Sequence, residues 1–248
     1  MYQFFVEPDQ IDVAGKSVII RGTDVNHIKN VLRMRPGEEV AVSNGIDGKE
    51  YRCGILALEE DCIRLELRFI KEDGVELPAQ IYLFQGLPKA DKMELIIQKA
   101  VELGAFQIIP VAMKRCVVKL DEKKADSKIK RWQGIAEAAA KQSKRGVIPE
   151  VTSVMSYAQA VQMASEMELK LVPYELAEGM EQTKQLIESA KPGQRIAIFI
   201  GPEGGFDPQE IKAATEAGIR PITLGKRILR TETAGFTTIA WLMYQLEN

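Results

Sequence analysis

The chain has 248 residues, 46% of them apolar, and a formal net charge of −2, so it can bury a sizeable core and is not a uniformly basic chain. Its three cysteines form no C-x-x-C pair and its only histidine is His27, which disfavours a disulfide framework, a zinc site and Ser-His-Asp chemistry. The first ten residues contain Glu7 and Asp9 but no basic segment, and no apolar run approaches the roughly 18 residues of a membrane span. We therefore expect a soluble, cytoplasmic protein without a metal site.

The charge is unevenly distributed along the chain. Residues 111–150 contain eleven Lys or Arg against five Asp or Glu, whereas residues 151–220 contain six basic against ten acidic residues. The basic stretch is consistent with a solvated helix and equally with a face that binds nucleic acid, so both interpretations stay open.

The first 70 residues indicate a small β-rich module. Alternating apolar and polar residues predict four strands, at 17–21, 39–43, 52–58 and 63–69. Between the first two strands, apolar residues at helical spacing, among them Ile28 and Val31, predict a helix over 24–34 that ends before Pro36. Charged and turn-forming residues follow the last strand. We predict a first domain over 1–72, a linker over 73–80 and a second domain over 81–248.

In the second domain, strands alternate with helices of about ten or more residues. The predicted strands are 81–85, 107–111, 170–174, 195–200 and 221–224, and the predicted helices are 91–103, 127–144, 156–166, 179–190 and 231–246. Such alternation predicts a mostly parallel sheet covered by helices on both faces. The fold class is therefore α/β.

Two helix starts in this domain can be read from the sequence. Asp207, followed by proline and then by Glu210, predicts a capping box, and Gly218 predicts the end of that helix. Thr231 or Thr233 is the predicted cap of the last helix. Gly235 inside that helix costs about 1 kcal/mol relative to alanine, so we expect close packing or a ligand beside it.

Two glycine-bearing loops are the most informative feature of the chain. Residues 199–206 read Phe-Ile-Gly-Pro-Glu-Gly-Gly-Phe, and residues 224–234 read Leu-Gly-Lys-Arg-Ile-Leu-Arg-Thr-Glu-Thr-Ala. Each loop follows a short apolar run and precedes a helix, which places ligands at the carboxyl ends of parallel strands. Neither loop is a P-loop or a G-x-G-x-x-G motif, so nucleotide hydrolysis and NAD binding are disfavoured.

These two loops closely resemble the signature of the RsmE-type 16S ribosomal RNA uracil-N3 methyltransferases of the SPOUT superfamily. The resemblance extends over nearly the whole chain, through Phe4-Phe5-Val6, residues 27–34, Lys89-x-x-Lys92-Met93-Glu94, Lys99-x-x-Glu102-Leu103-Gly104 and Gln142-Ser143-x-Arg145. Lys141 and Gly146 depart from the family pattern, at positions that concern RNA contacts more than cofactor binding.

The resemblance implies a PUA-like β-barrel followed by an α/β domain whose end forms a deep trefoil knot, in a homodimer. It also implies S-adenosylmethionine as the cofactor, without a metal. The cofactor would contact mainly backbone groups of the loop residues Val172, Pro173, Tyr174, Ile200, Gly201, Glu203, Gly205, Leu224, Gly225, Ile228 and Leu229.

The implied reaction is methylation of uracil N3 in 16S ribosomal RNA of the small ribosomal subunit, and it requires removal of the N3 proton. Arg230 is the candidate for stabilising the resulting charge, while Glu232 or Glu203 is the candidate base or an orienting group. RNA contacts are expected from basic side chains and the histidine, namely Arg21, His27, Lys29, Arg33, Arg35, Lys89, Lys92, Lys114, Arg115, Lys144 and Arg145. The alternatives are a SPOUT ribose 2′-O-methyltransferase and an RNA-binding protein without catalysis.

Overall fold

A computed structural model describes residues 1–72, 74–177 and 179–248, with the side chain of residue 122 left out. The residues form two compact units: 1–76 together with 140–148, and 77–139 together with 149–248. Residue 73, at the start of the predicted linker, lies outside the described residues. Within the described ranges no helix is both long and apolar enough to cross a membrane.

The first unit is built on a six-stranded sheet. Its strands are β1 (Gln3–Phe5), β2 (Ile11–Asp12), β3 (Ser17–Arg21), β4 (Glu39–Ser43), β5 (Glu50–Leu58) and β6 (Cys62–Lys71), in the order β1-β4-β5-β6-β3-β2. The β1–β4 pair is parallel and the others are antiparallel. The four predicted strands are confirmed, and the two others are only two or three residues long. The inward side chains of this sheet, such as Ile20 on β3 and Ile63 and Leu65 on β6, form the core of the unit.

The predicted helix over 24–34 is only partly correct. An α-helical turn, α1 (Thr23–Asn26), passes directly into a π-helix over His27–Val31. The wide turn closes with a bond from the Leu32 amide to the His27 carbonyl, and the chain leaves it with Arg33 at a φ of +54°. Because the π turn changes the angular spacing, Ile28 is fully buried whereas Val31 is 64% exposed. Val31 is therefore not part of the expected apolar face.

Residues 140–148 pack as part of the first unit. The Arg145 side chain is buried, and its Nε donates to Glu76 Oε2 over 3.0 Å. The Gly146 and Val147 amides donate to the other oxygen of Glu76 over 3.2 and 3.3 Å. A Cβ on Gly146 would lie 2.6 Å from the Gly48 carbonyl oxygen, so this position accepts only glycine without backbone movement.

The second unit contains a parallel sheet of seven strands. The strands are β7 (Gln80–Gly86), β8 (Gln107–Ala112), β9 (Glu150–Val151), β10 (Met155–Ser156), β11 (Leu169–Pro173), β12 (Arg195–Ile200) and β13 (Arg220–Ile222), in the order β10-β8-β7-β12-β11-β13 with β9 beside β8. Every pairing recorded in this sheet is parallel, which confirms the predicted α/β class. In the core of the sheet, the rings of Phe84 and Phe199 stack with centroids 4.4 Å apart.

Six helices accompany this sheet: α2 (Lys92–Glu102), α3 (Glu122–Ser143), α4 (Tyr157–Ala164), α5 (Met180–Glu188), α6 (Pro208–Glu216) and α7 (Thr231–Leu246). The capping box of α6 is confirmed, because Asp207 accepts from the Gln209 amide and Glu210 accepts from the Asp207 amide. Helix α3 begins five residues before the predicted start.

The start of α7 differs from the prediction. Arg230 occupies the cap position without a capping side chain, so neither Thr231 nor Thr233 is the cap. The Thr231 hydroxyl instead donates to the Gly201 carbonyl over 2.6 Å. A Cβ on Gly235 would lie 3.7 Å from the nearest Ile200 side-chain atom, an ordinary contact, so packing does not explain the glycine.

Candidate active site

Three loops of the second unit enclose a cavity of about 480 Å³. They comprise residues 173–175, 200–206 and 223–231, which follow β11, β12 and β13. Since β12, β11 and β13 are adjacent parallel strands, their carboxyl ends lie at one edge of the sheet and bring the loops together. The volume lies within the range of about 300–1,000 Å³ typical of small-molecule sites.

Most of the residues predicted to contact a cofactor line this cavity. They are Pro173, Tyr174, Ile200, Gly201, Glu203, Gly205, Leu224, Gly225, Ile228 and Leu229. Val172 is fully buried within β11, and the described lining does not include it. The two loops singled out in the sequence therefore face each other across one cavity, and the segment after β11 forms a third wall.

Glycine is required where these loops turn back. Gly225 has a φ of +100° and Gly205 a φ of +66°, a region that other residues adopt only with strain. The Gly205 amide donates to the Pro202 carbonyl over 2.9 Å and closes a tight turn. A Cβ on Gly86, at the end of β7, would lie 2.7 Å from Pro202 Cδ and 2.8 Å from the Pro202 backbone nitrogen, so only a glycine allows this strand end to lie so close to the turn.

Glu203 is held in place as a carboxylate. Its Oε1 accepts from the Lys89 amide over 3.0 Å and lies 3.1 Å from the Lys92 ammonium. Burial raises the pKa of Glu203, but hydrogen bonds from its own amide, from Lys89 and from Lys92 outweigh burial and lower the pKa overall. A carboxylate stabilised in this way is a poor proton acceptor.

Glu232, in the first turn of α7, has a different environment. Its Oε2 lies 3.5 Å from Lys92 Nζ, an ion-pair distance, yet this buried oxygen accepts no hydrogen bond from any described residue. Arg230, two residues earlier, is exposed and lines the cavity, and its guanidinium has no recorded partner within residues 1–72, 74–177 and 179–248. Arg230 is therefore available to a ligand in the cavity, whereas Glu232 lies outside the described lining of the cavity.

Charged side chains around the cavity are mainly basic. Those in its lining are Lys92, Lys226, Arg227 and Arg230 on the basic side and Glu175 and Glu203 on the acidic side. The four basic groups favour an anionic ligand or a reacting group that becomes negative.

The residues predicted to contact RNA occupy several environments. In the first unit Arg21, His27 and Arg33 are exposed, and His27 packs edge-on against the Phe4 ring. Arg145 is 3% exposed and bonded to Glu76, so an RNA contact there would require this pair to open. That contact stays a prediction.

In the second unit, Lys89 is exposed and Lys92 is held between two carboxylates. Arg115 is also exposed, but its Nη1 donates to the Gly204 carbonyl over 3.0 Å, so it supports the glycine-bearing turn. A Cβ on Gly204 would lie 3.1 Å from Arg115, which shows how closely the two segments pack.

Sequence reasoning did not assign a role in the site to several residues. Thr223, Lys226 and Thr231 line the cavity, and the buried Gln85 bonds to Thr231. In the sequence, the feature that could have indicated this part of the site is Gln85, a polar residue near the end of an otherwise apolar strand. For metals, the described side chains contain no group of three or more His, Cys, Asp or Glu residues that could hold an ion.

Comparison with known proteins identifies the family. Residues 75–243 match the family described as an RNA methyltransferase domain, and residues 20–67 match the RNA methyltransferase PUA domain. The chain is 38% identical to ribosomal RNA small subunit methyltransferase E of Bacillus subtilis, over 100% of this chain and 98% of the relative.

Another relative has been crystallised with a ligand. The structure of ribosomal RNA small subunit methyltransferase E from Neisseria gonorrhoeae bound to S-adenosyl methionine is 34% identical and matches with a TM-score of 0.84, over 98% of this chain and 97% of that one. The expected combination of a PUA-like domain and an RNA methyltransferase domain is thereby confirmed. The chain belongs to the ribosomal RNA small subunit methyltransferase E family.

Proposed function

We propose that this protein transfers a methyl group from S-adenosylmethionine to N3 of a uridine in 16S ribosomal RNA. The observation that carries the proposal is the cavity of about 480 Å³, whose walls are the two signature loops and whose lining includes Arg230. The relative from Neisseria gonorrhoeae, similar over 98% of this chain, contains bound S-adenosyl methionine.

The residues of the cavity fit this cofactor. Ile200, Leu224, Ile228 and Leu229 supply apolar surface for an adenine ring, and the glycine turns expose backbone amides and carbonyls for its polar groups. When bound, S-adenosylmethionine supplies a methyl group on a sulfonium sulfur, and the electrons of the broken carbon–sulfur bond stay with sulfur. The loops would hold this cofactor in the cavity that Arg230 also lines.

Glu232 is the proposed acceptor of the uracil N3 proton. Glu203 is already stabilised as an anion by the Lys89 amide and Lys92, and its lowered pKa makes it a poor proton acceptor. Glu232 lies outside the described lining of the cavity, but its neighbours Arg230 and Thr231 line it, and its Oε2 accepts no hydrogen bond among the described residues. Lys92, 3.5 Å away, keeps this carboxylate in place.

Arg230 stabilises the uracil when N3 loses its proton. The exposed guanidinium has five N–H donors, and negative charge on the deprotonated base spreads over its two carbonyl oxygens. Positioning contributes as well, since well-oriented reacting groups lower a barrier by about 7–11 kcal/mol. The N3–carbon bond then forms as the carbon–sulfur bond breaks.

We further propose that the first unit binds RNA backbone through exposed groups such as Arg21 and Arg33. The proposed substrate is the RNA of the small ribosomal subunit, and this substrate supports a cytoplasmic location for the protein. A homodimer and a trefoil knot at the end of the second unit are part of the same proposal and follow from the family resemblance.

One experiment separates the proposal from its alternatives. The purified protein is incubated with ribosomal RNA or small subunits and methyl-labelled cofactor, and the RNA is digested to nucleosides. Label in 3-methyluridine supports the proposal, and label on ribose supports a 2′-O-methyltransferase. If RNA binds but acquires no label, the protein is a binder without catalysis.

A further inference from the structure

Gln85 is a fully buried polar residue at the carboxyl end of β7. Its Nε2 donates two hydrogen bonds, to the Gly86 carbonyl and to the Thr231 hydroxyl, both over 2.9 Å. Gln85 is not among the residues that line the cavity. Any effect that it has on a bound ligand must therefore pass through a neighbour.

The bonds of Gln85 fix the direction of the Thr231 hydroxyl. An amide nitrogen only donates, so Thr231 Oγ1 accepts from Gln85 and turns its single proton towards another group. That group is the Gly201 carbonyl oxygen, 2.6 Å from Thr231 Oγ1. The opposite amide orientation would place the glutamine oxygen against the Gly86 carbonyl, so the surrounding acceptors determine the orientation.

This chain of bonds joins three separate parts of the site. Gln85 is the penultimate residue of β7, Gly201 begins the turn after β12, and Thr231 begins α7 between Arg230 and Glu232. Gly201 and Thr231 both line the cavity. This chain of hydrogen bonds from Gln85 through Thr231 to Gly201, called the relay below, therefore connects the wall of the cavity to the segment that carries Arg230 and Glu232, the two residues proposed for the chemistry.

Burying a glutamine at this position is unfavourable for folding unless its hydrogen bonds offset the loss of water. Its Oε1 is buried and has no hydrogen-bond partner among the described residues. An unpaired buried oxygen is unfavourable, and β7 is otherwise apolar around it. The two donated bonds are the compensation that the structure offers.

We propose that Gln85 is a positioning residue for the cofactor. Acting through the Thr231 hydroxyl, it holds the Gly201 carbonyl in the orientation that shapes the cavity wall. This inference rests on the proposed function, because it takes S-adenosylmethionine as the ligand of the cavity.

The test is the affinity for S-adenosylhomocysteine, the demethylated product, measured by calorimetry. Thr231→Val keeps the shape but removes the hydroxyl, and we expect the Kd to rise about tenfold, equivalent to about 1.4 kcal/mol. Gln85→Met, which removes the donors at similar volume, should give a similar rise. Thr231→Ser keeps the hydroxyl and should retain most of the affinity of the wild-type protein. Thr237→Val, on the same helix but outside the cavity lining, is the matched control.

A double variant separates the relay from general weakening. If Gln85 acts through Thr231, the Gln85→Met and Thr231→Val double variant should lose no more affinity than Thr231→Val alone. Full additivity of the two losses would overturn the inference. Melting curves accompany each measurement, because a merely structural role would lower the melting temperature while the folded protein kept its Kd.

The outcomes also distinguish this inference from the proposed function. If the wild-type protein binds S-adenosylhomocysteine and Thr231→Val binds it equally well, the relay is refuted and the proposed function stands. If the wild-type protein binds neither this product nor S-adenosylmethionine, both proposals fail.

Discussion

Lys92 and Glu203 form an ion pair at the wall of the cavity, with 3.1 Å between the ammonium nitrogen and a carboxylate oxygen. The same ammonium lies 3.5 Å from Glu232. One cation therefore stands between two carboxylates, of which only Glu203 is also bonded by a backbone amide. This asymmetry supports the proposal that Glu232, and not Glu203, accepts the proton.

Replacing Glu203 with glutamine should reduce stability in a pH-dependent way. The variant loses the charge that Lys92 pairs with, and we expect a melting temperature lower by about 2–4 °C near neutral pH, as for the loss of about 1 kcal/mol from a partly exposed ion pair. The pKa of Glu203 is lowered in the folded protein, so its contribution is fully present above the ordinary value of 4.5 and is lost as pH falls through the folded pKa.

Melting curves of the wild-type protein and of Glu203→Gln, measured from neutral to acidic pH, test whether the pKa of Glu203 is lowered in the folded protein. The difference should shrink below pH 4.5. A difference that grew on acidification would mean that Glu203 carries a raised pKa and that its assignment as a fixed anion is wrong.

Replacing Arg230 with alanine should slow methyl transfer strongly and leave cofactor binding nearly unchanged. Removing one group that stabilises developing charge typically costs about 10²–10³ in kcat. Single-turnover rates and the Kd for S-adenosylhomocysteine are the two measurements. Arg220→Ala, at an exposed position on β13 outside the cavity lining, is the control. Equal rates for the two variants would remove Arg230 from the mechanism.

Replacing Glu232 with glutamine should change how the rate depends on pH. Without the proton acceptor, the reaction must wait for uracil to lose its N3 proton to water, so the rate of the variant should rise with pH more steeply than that of the wild-type protein. Methyl transfer measured on both sides of neutral pH checks this. Parallel pH profiles would show that Glu232 has another role, such as orienting Lys92.

Replacing Gly225 with alanine should destabilise the protein by about 1–2 kcal/mol, because a residue with a Cβ pays this amount in the left-handed region. The backbone at Gly225 has a φ of +100°. Gly134, inside α3, is the matched control, since a Cβ there meets no atom within 4 Å. Gly134→Ala should stabilise the protein by up to about 1 kcal/mol. Chemical denaturation measures both, and equal effects would contradict the interpretation.

Arg33 and Arg145 should respond differently to substitution although both match the RNA-binding prediction. Arg33 is exposed, so Arg33→Ala should weaken RNA binding and reduce the slope of affinity against salt by roughly one. Arg145→Met removes the partner of Glu76 and should cost about 3 kcal/mol in stability. An unchanged stability for Arg145→Met, with a reduced salt slope, would identify Arg145 as an RNA contact.

Local patterns in the sequence predicted much of this fold. The capping box at Asp207 and the α/β alternation depend on residues close together in sequence, and both are present in the structure. The π-helix after Asn26 was not predicted, because Val25, Ile28, Val31 and Leu32 recur in the sequence at the spacing of an α-helix.

Other features of the structure depend on contacts between residues far apart in the sequence. The buried Arg145 is bonded to Glu76, 69 residues earlier, and the Thr231 hydroxyl accepts a hydrogen bond from Gln85, 146 residues earlier. No local pattern encodes such a pair. The two loops of the site, by contrast, were predicted from the sequence, because each carries glycines between a short apolar run and a helix and because their motifs resemble a known family.

The position of the cavity in the strand order has a consequence for biosynthesis. Its walls require residues 173–175, 200–206 and 223–231, and its lining includes Thr231 and Ala234 in the first turn of α7. While the chain emerges from the ribosome, the sheet can assemble from β7 to β12 before the last wall exists. The nascent protein therefore has no methyl-donor pocket until its final helix has been translated, which delays activity until the whole second unit has been made.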